Sequence, residues 1–135
     1  KGRPRIAVIT GHARAYTPKA TAEWESRAVS YLRQSWGSRD PLPCPVAVHV
    51  VAVFERPLRL TTKRHAATMD MPHVTKPDGD NVSKAALDAM EKAGILANDS
   101  QAHDVRIVKR YANNGEQPAV HVMVTWAASE MESQQ

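Results

Sequence analysis

The chain has 135 residues, of which 42% are hydrophobic and 24% charged, and its formal net charge is +4. That length favours one domain around a single core. A membrane-spanning helix is excluded because no run of about 18 apolar residues occurs. The only cysteine, Cys44, excludes a disulfide framework and any multi-cysteine metal site. The composition therefore predicts a protein of the reducing cytoplasm, and the excess of positive charge favours a polyanionic partner.

The first part of the chain predicts two strands followed by a helix. Residues 6–10 are typical of a strand, and residues 14–16 of a short return strand. Thr17 is suited to cap a helix and Pro18 to occupy its first position, and apolar side chains recur at helical spacing until Gly37. We therefore expect one long amphipathic helix between Pro18 and Gly37.

A further strand and a long basic loop come next. Residues 46–54 are apolar on both faces except for His49, which favours a strand in the middle of a covered sheet. Residues 55–75 show no periodicity, and loops of that length inside a compact domain are usually functional or disordered. We expect a mobile loop that contacts nucleic acid, a solvated connector being the alternative. The basic residues that would contact a DNA backbone are Arg56, Arg59, Lys63, Arg64 and Lys76.

The second half of the chain predicts another helix and two strands. Residues 80–93 carry an apolar stripe at helical spacing. Residues 105–111 and 120–126 are typical of strands. The Asn114-Gly115 pair between them predicts a hairpin, because these two residues favour the backbone conformation of a tight turn.

The predicted elements follow the order β-β-α-β-α-β-β. This order indicates an α+β fold in which two main helices pack against a single mixed β-sheet. We expect the domain to span residues 1–128 and a polar, disordered tail to follow at residues 129–135.

The segment from Lys76 to Lys84 has the sequence KPDGDNVSK and contains the polar residues with the clearest chemical meaning. Pro77 disfavours helix before it, so the helix is expected to start at or just after Asp80. Asp78 and Asp80 then lie two residues apart at a helix N-terminus, with Lys84 one turn further on, and can share one small site with it. The alternative is that Asp80 caps the helix and Asp78 interacts favourably with the helix dipole.

A third carboxylate, Asp99, follows the predicted helix at the point where the chain turns back towards the sheet. We expect it to converge on Asp78 and Asp80. Clustered carboxylates repel one another, and a divalent cation relieves that repulsion. Oxygen ligands suit Mg²⁺, or Mn²⁺ in its place, and such an ion polarises a phosphodiester and supplies an activated water.

Other metal and hydrolytic sites lack support in the sequence. An EF-hand starting at Asp78 would need an oxygen ligand at Val82 and a glutamate at Ala89. The histidines show no HExxH or other paired ligand spacing. Neither a P-loop nor a G-x-S-x-G elbow occurs, so nucleotide hydrolysis by a P-loop and serine hydrolysis are not indicated.

The stretch from Lys76 to Gln101 resembles the signature of the RusA family of Holliday junction resolvases. The shared pattern is D-x-D-N-[apolar]-x-K, then a helix with A-x-x-D-A-[apolar], then an aspartate followed by x-Q. Residues 3–5 and 16–19 resemble family members more loosely. One position departs from the pattern: many members carry Asp-Asp where this chain has Asn98-Asp99. Asn98 accepts a hydrogen bond but supplies no charge, which puts a metal-binding role for that position in doubt.

The resemblance implies a metal-dependent endonuclease that resolves four-way DNA junctions in recombination and repair. It implies that Asp78, Asp80 and Asp99 are the catalytic, metal-binding carboxylates. Lys84 would be an essential lysine that stabilises or positions the phosphate. It also implies a homodimer with one active site for each of two opposing junction strands, encoded by a bacterium or a phage.

Two other functions remain open at the level of the sequence. The first is a branched-DNA-binding protein that no longer cuts, although such a protein has no chemical reason to keep three aspartates and Lys84. The second is a metal-dependent nuclease that prefers flaps, forks or RNA. The sequence does not separate the second from a resolvase, because the choice of substrate depends on the shape of the dimer.

Overall fold

The computed structural model describes the backbone of residues 5–10, 18–62 and 68–126, and the side chains of residues 23–62 and 68–126. Within these ranges the main elements are β1 (Arg5–Thr10), α1 (Pro18–Trp36), β2 (Val46–Phe54), α2 (Gly79–Lys92), β3 (Ala102–Tyr111) and β4 (Ala119–Thr125). Short 3-10 turns occur at Leu58–Leu60 and Asp99–Gln101. The predicted α+β class is confirmed. The strand predicted at residues 14–16 and the tail predicted at residues 129–135 lie outside the described residues, and the domain limits stay a prediction.

The four described strands form one mixed sheet in the order β1-β4-β2-β3. β2 runs parallel to β3 and antiparallel to β4, which is itself antiparallel to β1. β2 is thus paired on both edges, a position that suits a strand with apolar residues on both faces. The prediction of a strand in the middle of the sheet is confirmed.

The predicted hairpin between the last two strands is wrong. β2 lies between β3 and β4 in the sheet, so the chain crosses the end of β2 through residues 112–118. Asn114 and Gly115 do form a turn there, and Gly115 has a φ of 81°. β4 pairs with β2 because this register sets Val122 opposite Val50 and Val124 opposite Val48 on the buried face of the sheet. The residues of a turn predict that the chain reverses, but they do not predict which strand the next strand pairs with.

Both helices pack against that buried face. Leu32 of α1 and Met90 of α2 are among the largest fully buried side chains. Truncating either to alanine would cost about 2–5 kcal/mol. The predicted apolar stripe of α2 is buried, as Val82, Ala86, Ala89 and Met90. This packing sets the position of both ends of α2, where the polar residues of interest lie. No helix in the described ranges is long and apolar enough to cross a membrane.

The segment that leads into α2 lies along the outer edge of β3. The backbone N–H of His73 donates to the carbonyl oxygen of Lys109 at 3.0 Å, and that of Tyr111 donates to Met71 at 2.8 Å. The His73 ring stacks on Phe54, with ring centroids 3.8 Å apart. Burial, together with the charge of Lys109, lowers the pKa of His73. The neutral imidazole is therefore the form that this packing favours.

Candidate active site

The N-terminal turn of α2 carries two of the predicted site residues. Asp78 is the N-cap residue, and its carbonyl oxygen accepts a hydrogen bond from the backbone N–H of Val82 at 3.1 Å. The Asp78 side chain makes no capping hydrogen bond, and Asp80 lies inside the first helical turn. Both side chains are exposed. The alternative in which Asp80 caps the helix is therefore wrong, and neither carboxylate is used to close the helix end.

The turn contacts the sheet at Gly79. A Cβ atom at position 79 would lie 3.4 Å from Cγ2 of Ile107 in β3. Pro77, on one side of the turn, is buried, and so is Val82 on the other. The apolar side of the turn thus packs against the rest of the protein, while the carboxylates of Asp78 and Asp80 remain accessible to solvent.

Lys84 lies on the same side of α2 as Asp80, because side chains four residues apart are neighbours on a helix surface. Its side chain is exposed. Asp78, Asp80 and Lys84 form no hydrogen bond or ion pair with any other side chain in the described part of the chain. The structure thus brings these three predicted residues to one end of α2 and leaves their charges available to a ligand.

The third predicted carboxylate lies in a turn beyond the other end of α2. After Gly94, which has a φ of 82°, the chain reaches a 3-10 turn at Asp99–Gln101 with Asn98 as its N-cap. Oδ1 of Asn98 accepts a hydrogen bond from the backbone N–H of Ser100 at 2.9 Å. Asparagine is as good a capping residue as aspartate. The side chain at position 98 therefore has a structural function that does not require a charge.

Asp99 lies beside two acidic residues of α2. One carboxylate oxygen from each of Asp88, Glu91 and Asp99 lies within 4.8 Å of the other two. Asp88 follows Asp80 by eight residues, which corresponds to about 12 Å along the helix axis. Within a single chain, Asp99 is therefore too far from Asp78 and Asp80 for one ion to bind all three, since Mg²⁺ sits only about 2 Å from each ligand.

Sequence reasoning did not include Asp88 and Glu91 in the site, and it interpreted Asp88 as a surface ion-pair partner of Lys84 or Lys92. The spacing of three residues between Asp88 and Glu91 puts them on one side of α2, and this much is visible in the sequence. The direction in which the chain continues after Gly94 cannot be predicted from the sequence, and this direction brings Asp99 close to Asp88 and Glu91. The neighbouring Lys92 forms an ion pair with Glu25 of α1, and this hydrogen bond raises the pKa of Lys92.

Arg56, one of the predicted DNA-binding residues, has a structural role. Its guanidinium donates to the carbonyl oxygens of Ala112 at 2.8 Å and Leu60 at 3.3 Å, and also to that of Thr68. These acceptors belong to both stems of the long loop and to the segment after β3. Arg56 thus ties the loop to the sheet, and its predicted contact with a phosphate stays a prediction.

The other predicted DNA-binding residues have different settings. Arg59 and Lys76 are exposed. Lys63 and Arg64 lie outside the described residues. The described stems of the loop, on which Arg59 and Lys76 lie, are attached to the rest of the protein.

A second network holds the same loop from the side of β3. Arg110 donates hydrogen bonds of 2.6 and 2.7 Å to the two carboxylate oxygens of Glu116. The Arg110 hydrogen bonds, aided by the Asn113 backbone N–H, lower the pKa of Glu116 to about 2. Asn113 in turn accepts a hydrogen bond from the backbone N–H of Asp70 at 2.9 Å. Arg110 and Glu116 thus form a bidentate ion pair, which has a structural function.

Comparison with known proteins identifies similar sequences. The family model described as Endodeoxyribonuclease RusA matches residues 1–125. The crossover junction endodeoxyribonuclease RusA of Aquifex aeolicus (strain VF5) is 28% identical over 97 residues, which are 72% of this chain and 63% of that protein. The proteins of the same name from Escherichia coli (strain K12) and Shigella sonnei (strain Ss046) are 44% identical over 45 residues, 33% of this chain and 38% of each relative. The chain thus spans less than two thirds of the length of these relatives.

Proposed function

Since the chain belongs to the RusA family of endodeoxyribonucleases, we propose that it resolves four-way (Holliday) DNA junctions by hydrolysing phosphodiesters in paired strands. The names of its relatives support this substrate. The observation that carries the proposal is the exposed pair of carboxylates, Asp78 and Asp80, which the N-terminus of α2 presents without using either as a cap. With Lys84 one turn away, this helix end suits a phosphate, and its two carboxylates suit the cation that activates that phosphate.

Mg²⁺ is the ion that fits the donor atoms of the proposed site, with Mn²⁺ as a substitute. Asp78, Asp80 and Asp99 offer only carboxylate oxygens, which are the ligands that such cations prefer. When bound, Mg²⁺ supplies Lewis-acid polarisation of the phosphodiester and an activated water. The three carboxylates would hold the ion. Lys84 offsets the negative charge that develops on the phosphate.

A homodimer is the assembly that this site requires. In one chain, Asp99 lies with Asp88 and Glu91, about 12 Å along α2 from Asp80. An ion held by Asp80 and Asp99 together would therefore take its ligands from two chains. A twofold axis would generate two such sites, one for each of two opposing strands of a junction.

Basic side chains of the loop would hold the DNA backbone. We assign this role to Arg59, Lys63, Arg64 and Lys76. Each phosphate contact contributes a slope of about −0.9 when affinity is plotted against salt concentration on logarithmic axes. Lys76→Ala should flatten that slope by about one unit, while Arg27→Ala, at an exposed position on α1, should not. Equal slopes for all three proteins would remove Lys76 from the interface.

The substrate is tested by comparing cleavage of a four-way junction, a flap and a linear duplex, with and without Mg²⁺. We expect symmetric cuts in the junction that depend on the metal, and weaker cutting of the other two. Preferential cutting of the flap would identify a different structure-specific nuclease. Binding without any cutting, in Mg²⁺ and in Mn²⁺, would identify a branched-DNA-binding protein.

Mixing two inactive variants tests the shared site. In a heterodimer of Asp80→Asn and Asp99→Asn chains, a site built from two chains is intact once and doubly altered once. The mixture should therefore nick one strand of the junction, although neither variant cuts alone. A site built within one chain is altered in both subunits, so a mixture that remains inactive after confirmed subunit exchange would contradict the shared site.

A further inference from the structure

The side chain of Gln101 uses all of its hydrogen-bonding capacity to hold the turn that carries Asp99. Its Oε1 accepts hydrogen bonds from the backbone N–H groups of Ala97 and Asn98, both at 2.8 Å. Its Nε2 donates to the carbonyl oxygens of Leu42 at 2.6 Å and Cys44 at 2.9 Å. A carboxamide offers two acceptor sites and two donor hydrogens, and all four are engaged.

These bonds join two segments that are distant in sequence. Leu42 also accompanies Leu96 in an isolated parallel bridge, and its N–H donates to the carbonyl oxygen of Ile95 at 2.8 Å. Leu42, Cys44 and Leu96 are fully buried. Gln101 therefore attaches the turn to the hydrophobic core itself, so the position of the turn does not depend only on the helix that precedes it.

The carboxylate of Asp99 takes no part in this bonding. The turn is closed by Gln101 and by Asn98, whose side chain accepts from the Ser100 N–H. The Asp99 side chain is exposed and has no hydrogen bond or ion pair to another described residue. Asn98 and Gln101 thus hold the turn in place, while the Asp99 carboxylate between them makes no hydrogen bond to the described residues.

We infer that Gln101 is a positioning residue that sets the direction of the Asp99 carboxylate before the metal binds. The inference rests on the proposed function, in which Asp99 is a metal ligand. A carboxylate held in place in advance loses less conformational entropy on binding an ion than one on a free turn. Gln101 would then contribute to metal affinity without contacting the metal, as residues that orient ligands do elsewhere.

The test uses Gln101→Met, which removes all four hydrogen bonds at nearly constant size. Gln34→Met is the matched control, because Gln34 is exposed on α1. Mn²⁺ affinity of the protein, alone and with junction DNA in which the scissile phosphates are replaced by uncleavable ones, is measured from the EPR signal of the free ion. We expect Gln101→Met to weaken Mn²⁺ binding by about 10- to 100-fold, with Gln34→Met unchanged. Unaltered Mn²⁺ affinity in a folded Gln101→Met protein would overturn the inference.

A double-mutant cycle separates positioning from a merely structural role. The effect of Gln101→Met on Mn²⁺ affinity should largely disappear when Asp99 is already Asn, because the two residues act as one unit. Equal effects in both backgrounds would contradict action through Asp99. If Gln101→Met unfolds at the assay temperature, Gln101→Glu, which keeps the two acceptor bonds, goes through the same cycle. Failure of the parent to cut any junction would reject the proposed function, whereas the Mn²⁺ comparison would still decide the role of Gln101.

Discussion

The two turns that flank α2 both carry aspartates of the motif, but they are built differently. At the N-terminal turn, the Asp78 side chain makes no capping bond and the Asp80 side chain is exposed. At the turn beyond the C-terminus, Asn98 and Gln101 form a closed set of hydrogen bonds around Asp99. The first turn is supported by apolar contacts beneath it and the second by polar side chains within it.

This difference separates residues that the fold needs from residues that it does not need. A capping side chain contributes typically about 1 kcal/mol to stability, and the N-terminal turn of α2 forgoes that contribution at Asp78. Carboxylates that do not cap the helix are free to bind a ligand. In the other turn, stability and ligand geometry are coupled, because the groups that close the turn also direct Asp99.

The largest expected effect is on activity at the N-terminal turn. Asp80→Asn should lower the rate of junction cleavage by more than about 100-fold. Mutating a residue that only hydrogen-bonds to a metal ligand costs up to about 100-fold, and losing the ligand itself should cost more. The free energy of unfolding of Asp80→Asn should stay within about 0.5 kcal/mol of the parent. Cleavage kinetics in Mg²⁺ and chemical denaturation measure the two quantities, with Asp40→Asn as an exposed control. Normal turnover by Asp80→Asn would remove this residue from the site.

Lys84→Ala should have the next largest effect. Losing one charged hydrogen bond to the phosphate costs about 1.5–3 kcal/mol, which corresponds to a cleavage rate about 10- to 150-fold lower. Stability should be equal or slightly higher, because Lys84 is exposed and alanine favours helix. Lys84→Arg keeps the charge and should retain part of the rate. A Lys84→Ala protein that unfolds more easily, or that cuts as fast as the parent, would contradict a role in catalysis.

Glu116 shows how a structural carboxylate differs from those of the motif. Its pKa is held at about 2, below its ordinary value of 4.5, chiefly by hydrogen bonds from Arg110. Its stabilising contribution is therefore complete above pH 4.5 and is lost as the pH falls from 4.5 towards about 2. Glu116→Gln should lower the free energy of unfolding by about 1–2 kcal/mol near neutral pH and by progressively less below pH 4.5.

Denaturation of the parent and of Glu116→Gln across this pH range gives the measurement. The lowered pKa of His73 makes the stability of both proteins fall as the pH decreases below 6.5, and the difference between the two proteins cancels that contribution. A difference that does not change with pH would exclude ionisation of Glu116 as its cause.

The smallest expected effect concerns the cap of the second turn. Asn98→Ala should lower the free energy of unfolding by about 1 kcal/mol, because the bond to the Ser100 N–H is lost. Asn98→Asp should leave stability unchanged, since aspartate accepts the same bond. Thermal unfolding of the two variants checks this pair. Equal destabilisation by both would indicate that the cap is not what matters at this position.

The sequence alone determined the elements and the motif. The period of the apolar residues predicted α1 and α2, because a helix that covers a core repeats its apolar side chains about every 3.6 residues. The apolar character of both faces predicted β2 as a strand inside a covered sheet. The charged residues of the segment from Lys76 to Lys84 stood out because two carboxylates and a lysine at a helix N-terminus have a direct chemical meaning. These features are local in the chain.

The tertiary structure alone decided which elements meet. β4 pairs with β2, and not with β3, which precedes it in the chain. The reason is that β2, which is apolar on both faces, lies inside the sheet and pairs on both edges. Asp99 lies beside Asp88 and Glu91, away from Asp80, because the turn after Gly94 and the bonds of Gln101 set its direction. Arg56 holds backbone carbonyls of three separate segments. Each of these outcomes depends on contacts between residues far apart in sequence. Many alternative pairings have a similar local free energy, and only the packing of the whole core selects among them.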